Sequence, residues 1–263
     1  MTDLDAILAL QPLAPAHFRA LIPDGWQQGR GAFGGLVVAL MIRAAEALLA
    51  DPARTLRSLS AELCAPAQPG LTDIHVDRLR IGSGLGALAV RMLQGDERVA
   101  HASAVFARDR DRDVTWDELA PPSVPPFEPG AALTFPGAPV FTRHLEMVPL
   151  DAPIFAGEAS ARASGWLRLR RPPARRDAAI LALLCDVWWP ALFSRLAAPR
   201  PIATVAFTFQ PLGDLAALPP DAPVLHRGVG LAARAGYALE QRELWSPAGE
   251  LLALNQQTFA VIR

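Results

Sequence analysis

The chain has 263 residues, 51% of them hydrophobic, and a formal net charge of −1. That is enough for one large domain or two small ones with a sizeable core. The near-neutral balance removes the electrostatic case for a nucleic-acid or anionic-membrane partner. All 25 basic residues are arginine; with the many Ala, Pro and Gly residues this fits a GC-rich bacterial genome and carries no functional meaning.

The two cysteines, Cys64 and Cys185, sit in apolar stretches and belong to no CxxC or Cys/His pattern. Two buried, reduced thiols and no metal are expected. The first ten residues lack a basic n-region, so no signal peptide is expected. The apolar runs Gly31–Ile42 and Asp177–Leu196 are too short or too interrupted to span a bilayer. The expectation is a cytoplasmic protein without a membrane partner.

Asp3 and Asp5 offer a cap for a short helical turn, and Leu10–Phe18 reads as irregular. A glycine-rich stretch, Gly29 to Gly35, then opens a helix over Leu36–Ala50 that Asp51-Pro52 ends. Strands follow over Leu56–Leu63, Ile74–Ile81 (with a slip in alternation near Asp77), Ala87–Leu93 and Val99–Ala107. Residues 109–140 begin with a charge run and become dense in Pro and Gly. They read as an extended linker over the surface.

The second half repeats the order. A strand is predicted over Gly165–Arg171, then a helix over Asp177–Leu196 with Asp177 as N-cap. Strands are predicted over Ile202–Gln210, Val224–Ala232, Gly236–Trp245 and Leu251–Ile262. The helix is apolar on nearly every face, which predicts burial, and carries one carboxylate, Asp186. Such a group must find donors, shift its pKa or do chemistry. A satisfied buried carboxylate that only holds a loop is the competing reading.

Each half is therefore one helix followed by antiparallel strands, a duplication. Phe33-Gly34-Gly35, Leu183-Leu184-Cys185-Asp186, Ile202-Ala203-Thr204 and Leu252-Ala253-Leu254-Asn255-Gln256-Gln257 occur in an order and spacing that resembles the acyl-CoA thioesterase II family. The resemblance implies an α+β double hotdog, two fused units each wrapping an antiparallel sheet around a long central helix. The units would be 1–108 and 141–263, with the linker at 109–140. It also implies hydrolysis of acyl-CoA thioesters in fatty acid metabolism, with no cofactor.

The resemblance places the water-holding residues on Asp186, Thr204 and Gln257. The chemistry is coherent: a carboxylate can take the water's proton, and a hydroxyl and an amide can each donate and accept. Alternation puts Asn255, Gln257 and Phe259 on one face and Gln256 on the other. Pro211 comes earlier than the family pattern has it, which leaves the register of the Thr204 strand open, with Thr208 as fallback. The first-half counterpart of Gln257 is Ala102. Phe33, Gly34 and Gly35 are candidate substrate-binding residues, offering backbone N–H groups to an oxyanion; a plain close-packed helix start is the rival.

His75 and His226 are expected on exposed strand faces, and His101 and His144 as solvated or locally bonded. The hydratase signature is absent. A hotdog dehydratase or hydratase, or a non-catalytic acyl-binding or assembly module, remain the alternatives. The acyl group is not readable. An edge strand in each half leaves a homo-oligomer open.

Overall fold

The computed structural model describes residues 3–110, 114–129 and 137–262. The chain begins with a helical turn, α1 (Leu4–Leu8), whose N-cap Asp3 accepts from the Asp5 N–H. The segment expected to be irregular forms two strands, β1 (Gln11–Ala14) and β2 (His17–Ile22), and a small hairpin follows, β3 (Gln27–Gln28) with β4 (Gly31–Ala32). Helix α2 spans Gly34–Leu49 and ends at Ala50, which takes the left-handed conformation at φ 48°. Strands β5 (Thr55–Leu63), β6 (Gly70–Ile81), β7 (Leu85–Gln94) and β8 (Glu97–Ala107) complete the first half.

The second half holds β9 (Leu145–Pro149), β10 (Arg162–Leu169), α3 (Ala178–Cys185) and a single turn α4 (Leu192–Arg195). Then come β11 (Ile202–Pro211), β12 (Val224–Arg234), β13 (Tyr237–Trp245) and β14 (Leu251–Val261). Strand β9 carried no strong sequence signal.

Twelve strands form one antiparallel sheet in the order β1-β2-β6-β7-β8-β5-β11-β14-β13-β12-β10-β9. The halves join where β5 pairs with β11, Ala61 opposite Phe207. Counted outward from that seam, both sides repeat the same topology: β5, β8, β7, β6, β2, β1 on one side and β11, β14, β13, β12, β10, β9 on the other. This is the expected double hotdog: two antiparallel units, each with a helix packed on the sheet.

The helices also pack against each other, antiparallel. Gly35 at the start of α2 meets Asp186 at the end of α3. At the other end, Arg43 Nη1 lies 2.8 Å from Oδ2 of Asp177, the N-cap of α3. Glycine is required for this contact: a Cβ on Gly35 would stand 2.6 Å from the Leu183 carbonyl oxygen. Every residue of α3 is buried. Each fully buried Leu or Ile contributes about 1.5–3 kcal/mol, so Ile180, Leu181, Leu183 and Leu184 root the helix in the core.

The second helix is shorter than its apolar run predicts. It stops at Cys185 instead of continuing to Leu196, and Asp186 is its C-cap rather than its middle. Pro190 has no N–H to give and disfavours helix in the residue before it. The bulky Val187, Trp188 and Trp189 therefore leave the helix and fold back as a loop.

Other expectations also change. Cys64 is exposed, while Cys185 is buried as expected. His226, expected on an exposed face, is fully buried, while His144 is bonded as expected, to the Gly25 carbonyl, though nearly buried. The start of strand β12 has both faces covered, because Leu119, Val124 and Phe127 pack over the outward Trp166, Leu225, Trp245 and Leu251. Alternation of polarity therefore could not say which face of β12 is inner. The Trp166 indole N–H donates to the Pro125 carbonyl at 2.8 Å, tying down this otherwise irregular segment. Of the charge run, residues 111–113 lie outside the described residues. The slip near Asp77 is a β-bulge between Arg78 and Arg80; Leu79 within it and Ile81 beyond it are exposed.

Candidate active site

The three residues singled out in the second half converge. Asp186 is held at both carboxylate oxygens: the Gly35 N–H donates to Oδ2 at 2.7 Å, and Gln257 Nε2 donates to Oδ1 at 2.9 Å. The same Gln257 nitrogen donates to Asn255 Oδ1 at 3.0 Å, and its Oε1 accepts from Thr204 Oγ1 at 3.2 Å. The result is a continuous polar chain, Thr204–Gln257–Asp186–Gly35, with Thr204 the partly exposed end.

Sequence alternation alone would turn Thr204 away from Phe207 and Phe209, which are fully buried. A bulge between Thr204 and Ala206 inserts one residue, so Thr204 comes opposite Phe259 on the inner face. Thr208 instead lies opposite Gln256, and only its backbone carbonyl enters the network, accepting from Asn255 Nδ2. Gln257 is buried and Gln256 exposed, as the alternation of that strand predicts.

Phe33, Gly34 and Gly35 form the start of α2. Phe33 is buried and stacks on Phe141 at 4.3 Å. A Cβ on Gly34 would stand 2.9 Å from Asp186 Oδ2, so both glycines let the helix end touch the carboxylate. The Gly35 N–H already serves Asp186, and the Leu36 N–H points to the Phe33 carbonyl. The Gly34 N–H is the remaining candidate for a substrate oxygen in this triplet.

Burial pushes the Asp186 carboxyl above the ordinary aspartate range; Arg242 first, then the Gln257 and Gly35 hydrogen bonds, pull the other way. The site also contains two residues that no motif announced. Arg242, 1% exposed, sends Nε to Glu240 Oε1 at 2.8 Å and Nη1 to the Cys185 carbonyl at 2.8 Å. Its Nη1 is 3.7 Å from Asp186 Oδ1. Glu240 Oε2 accepts from the Ala191 N–H at 2.6 Å. Asn255, which the last quoted motif contains without a role, joins them through Gln257 and the Thr208 carbonyl. A signal was present: Glu240 and Arg242 alternate with exposed-face positions on a strand whose inner face also holds Ala238 and Leu244.

The first half shows what this set replaces. Glu240 faces Gln257 and Arg242 faces Asn255 in the second half. At the matching places Val90 faces Ala102 and Met92 faces Ala100, all fully buried. One half of the sheet is polar at its centre; the other is filled with hydrocarbon.

No histidine among the described residues hydrogen-bonds to Asp186. His226 stacks on Trp188 at 5.7 Å and directs Nδ1 to the Ala163 carbonyl, while burial holds the ring neutral. Among the described residues, no cluster of three or more His, Cys, Asp or Glu side chains could hold a metal, and no helix is long and apolar enough to cross a membrane.

Two domain families match this chain: the acyl-CoA thioesterase N-terminal domain over residues 22–107 and the acyl-CoA thioesterase C-terminal domain over residues 117–261. The chain belongs to the acyl-CoA thioesterase family. Among solved structures, a hot dog fold protein of unknown function from Alicyclobacillus acidocaldarius is 26% identical, with a TM-score of 0.89 over 100% of this chain and 99% of that one. The acyl-CoA thioesterase II TesB2 of Mycobacterium marinum shares the fold at 21% identity and a TM-score of 0.79, covering 98% of this chain and 96% of that one. The tesB protein of Mycobacterium avium subsp. paratuberculosis does so at 19% and 0.81, over 99% and 98%. No curated protein matches the chain significantly. The family places thioester hydrolysis at the centre of any functional reading.

Proposed function

We propose that the chain hydrolyses acyl-CoA thioesters to the free acid and CoA, with Asp186 as general base and Thr204 and Gln257 orienting the water. The observation that carries this reading is the double anchoring of a buried, raised-pKa carboxylate beside a hydroxyl and an amide. A base must be poised and held; here each Asp186 oxygen accepts a hydrogen bond, and burial makes the carboxylate more basic than a solvated one.

In the reaction, Asp186 takes one proton of the water as its oxygen attacks the thioester carbon. The carbonyl oxygen becomes an oxyanion, which the N–H of Gly34 at the α2 N-terminus can stabilise. Collapse re-forms the carbonyl and breaks the C–S bond. The proton held on Asp186 passes to the departing thiolate, giving free CoA thiol and leaving the carboxylate ready again. No covalent enzyme intermediate and no cofactor are required. The units are taken as 1–108 and 141–263, joined by 109–140, acting in the cytoplasm.

The test is release of free thiol from a panel of short, long, branched and aromatic acyl-CoAs. Asp186→Asn should abolish release while circular dichroism shows a retained fold. No turnover on any member of the panel would overturn the reading.

A further inference from the structure

Arg242 and Glu240 are joined to Asp186 in a way that the hydrolytic roles do not use. The end of α3 is a poor place for a carboxylate. The last carbonyls of a helix have no partner within it, and its C-terminus repels negative charge. Arg242 answers both problems with one side chain. Its Nη1 donates to the Cys185 carbonyl, the residue before Asp186, and stands 3.7 Å from Asp186 Oδ1. Its Nε is held by Glu240 Oε1, and the other Glu240 oxygen accepts the Ala191 N–H. Cys185 and Ala191 bracket the loop that begins with Asp186. One buried pair on β13 therefore grips both ends of the segment carrying the acid.

The pair also distributes charge. A lone arginine against a buried aspartate would bind it tightly and make it a weak base. Here Glu240 takes the direct, short contact and Asp186 keeps only the longer one. We infer that Arg242 and Glu240 act together as positioning residues for Asp186, clamping its loop and dividing one positive charge between two carboxylates so that Asp186 stays available as a base. The inference rests on the hydrolytic reading for its consequence, and on the geometry alone for its premise.

The surroundings simplify the test. The other groups bonded to Asp186 are Gln257 on β14 and the Gly35 N–H at the start of α2, and Gln257 is bonded in turn to Thr204 on β11 and Asn255 on β14, all uncharged. Cys185 on α3 and His226 on β12 can titrate, but burial holds both neutral at physiological pH. Burial raises Glu240 as well, with Arg242 opposing it.

The experiment follows Asp186 by carbon-13 carboxyl NMR, assigned by its loss in Asp186→Asn, alongside the pH profile of kcat/KM. Glu240→Gln keeps the shape and one of the two acceptor oxygens but removes the competing charge, so the positive charge of Arg242 acts on Asp186 alone. Asp186 and the acid limb of activity should both move down by about one pH unit. Arg242→Gln should move both up by a similar amount, and Arg242→Lys should restore them towards the wild-type position. A purely structural role would lower activity without moving either. Unmoved Asp186 titration in folded Glu240→Gln protein overturns the inference; that variant decides the matter alone if Arg242→Gln does not fold. The two readings fail separately: shifts of Asp186 without thiol release from wild-type protein would sink the hydrolytic reading and leave the positioning pair standing.

Discussion

Gln257 and Ala102 occupy equivalent positions on either side of the sheet's central seam. Gln257 faces Phe207, Ala102 faces Ala61, and Phe207 faces Ala61 across the seam. One position ends in an amide that holds a carboxylate; the other ends in a methyl group. The asymmetry points the predictions at the polar network around Asp186.

Gln257→Leu should lower kcat/KM by on the order of a hundredfold. It removes a donor to Asp186 and the acceptor for Thr204, a loss comparable to deleting one preorganised donor in other active sites. Gln256→Leu, on the exposed face of the same strand, should stay close to wild type. Equal effects of the two would place the site elsewhere.

Thr204→Val removes one hydroxyl and little volume. A loss of about tenfold in kcat/KM is expected, the value of about one hydrogen bond. Thr208→Val should be nearly silent, because only its backbone carbonyl takes part. A larger effect at Thr208 would show that the bulge does not set the register of the working enzyme.

Gly35→Ala tests the contact between the helices. The new methyl would meet the Leu183 carbonyl at 2.6 Å and the Asp186 Cβ at 2.9 Å. Overpacking of this kind costs about 1–3 kcal/mol, readable as a lower urea midpoint. Activity should fall more than that loss explains, because the Gly35 N–H is pushed off Oδ2. A stable, fully active variant would contradict the close approach.

The pH dependence follows from the direction of the Asp186 shift. Burial raises its pKa in the folded protein, and the carboxyl must be ionised to accept a proton. Activity is therefore present above the raised pKa and lost as pH falls through it. The acid limb of kcat/KM should lie clearly above about 3.9, the ordinary aspartate value. A limb at or below that value would exclude Asp186 as the base.

Much of this site was legible because two physical patterns are strong. A lone acid in the apolar run of α3 stands out whatever the fold, and strict alternation along β14 separates Gln257 from Gln256. The rest depended on irregularities that periodicity does not carry. The bulge at Val205 reverses the facing of Thr204, and Pro190 acts back through three bulky residues to end α3 early. His226 escaped because the start of β12 is covered on both faces. Arg242 and Glu240 lie more than fifty residues after Asp186 and reach it only through sheet pairing, so no local spacing links them.

The Gly35–Asp186 hydrogen bond crosses the duplication. A homodimer of single units must write every substitution twice, once for each pocket. Fusion into one chain lifts that constraint: the first half can be apolar at its centre while lending a backbone amide to its neighbour. Damage will not respect the midline either: lesions at Gly34 or Gly35 should be felt at a carboxylate encoded more than a hundred codons downstream. A truncated second half would retain Asp186, Thr204 and Gln257 and still lack one of the two bonds that aim the acid.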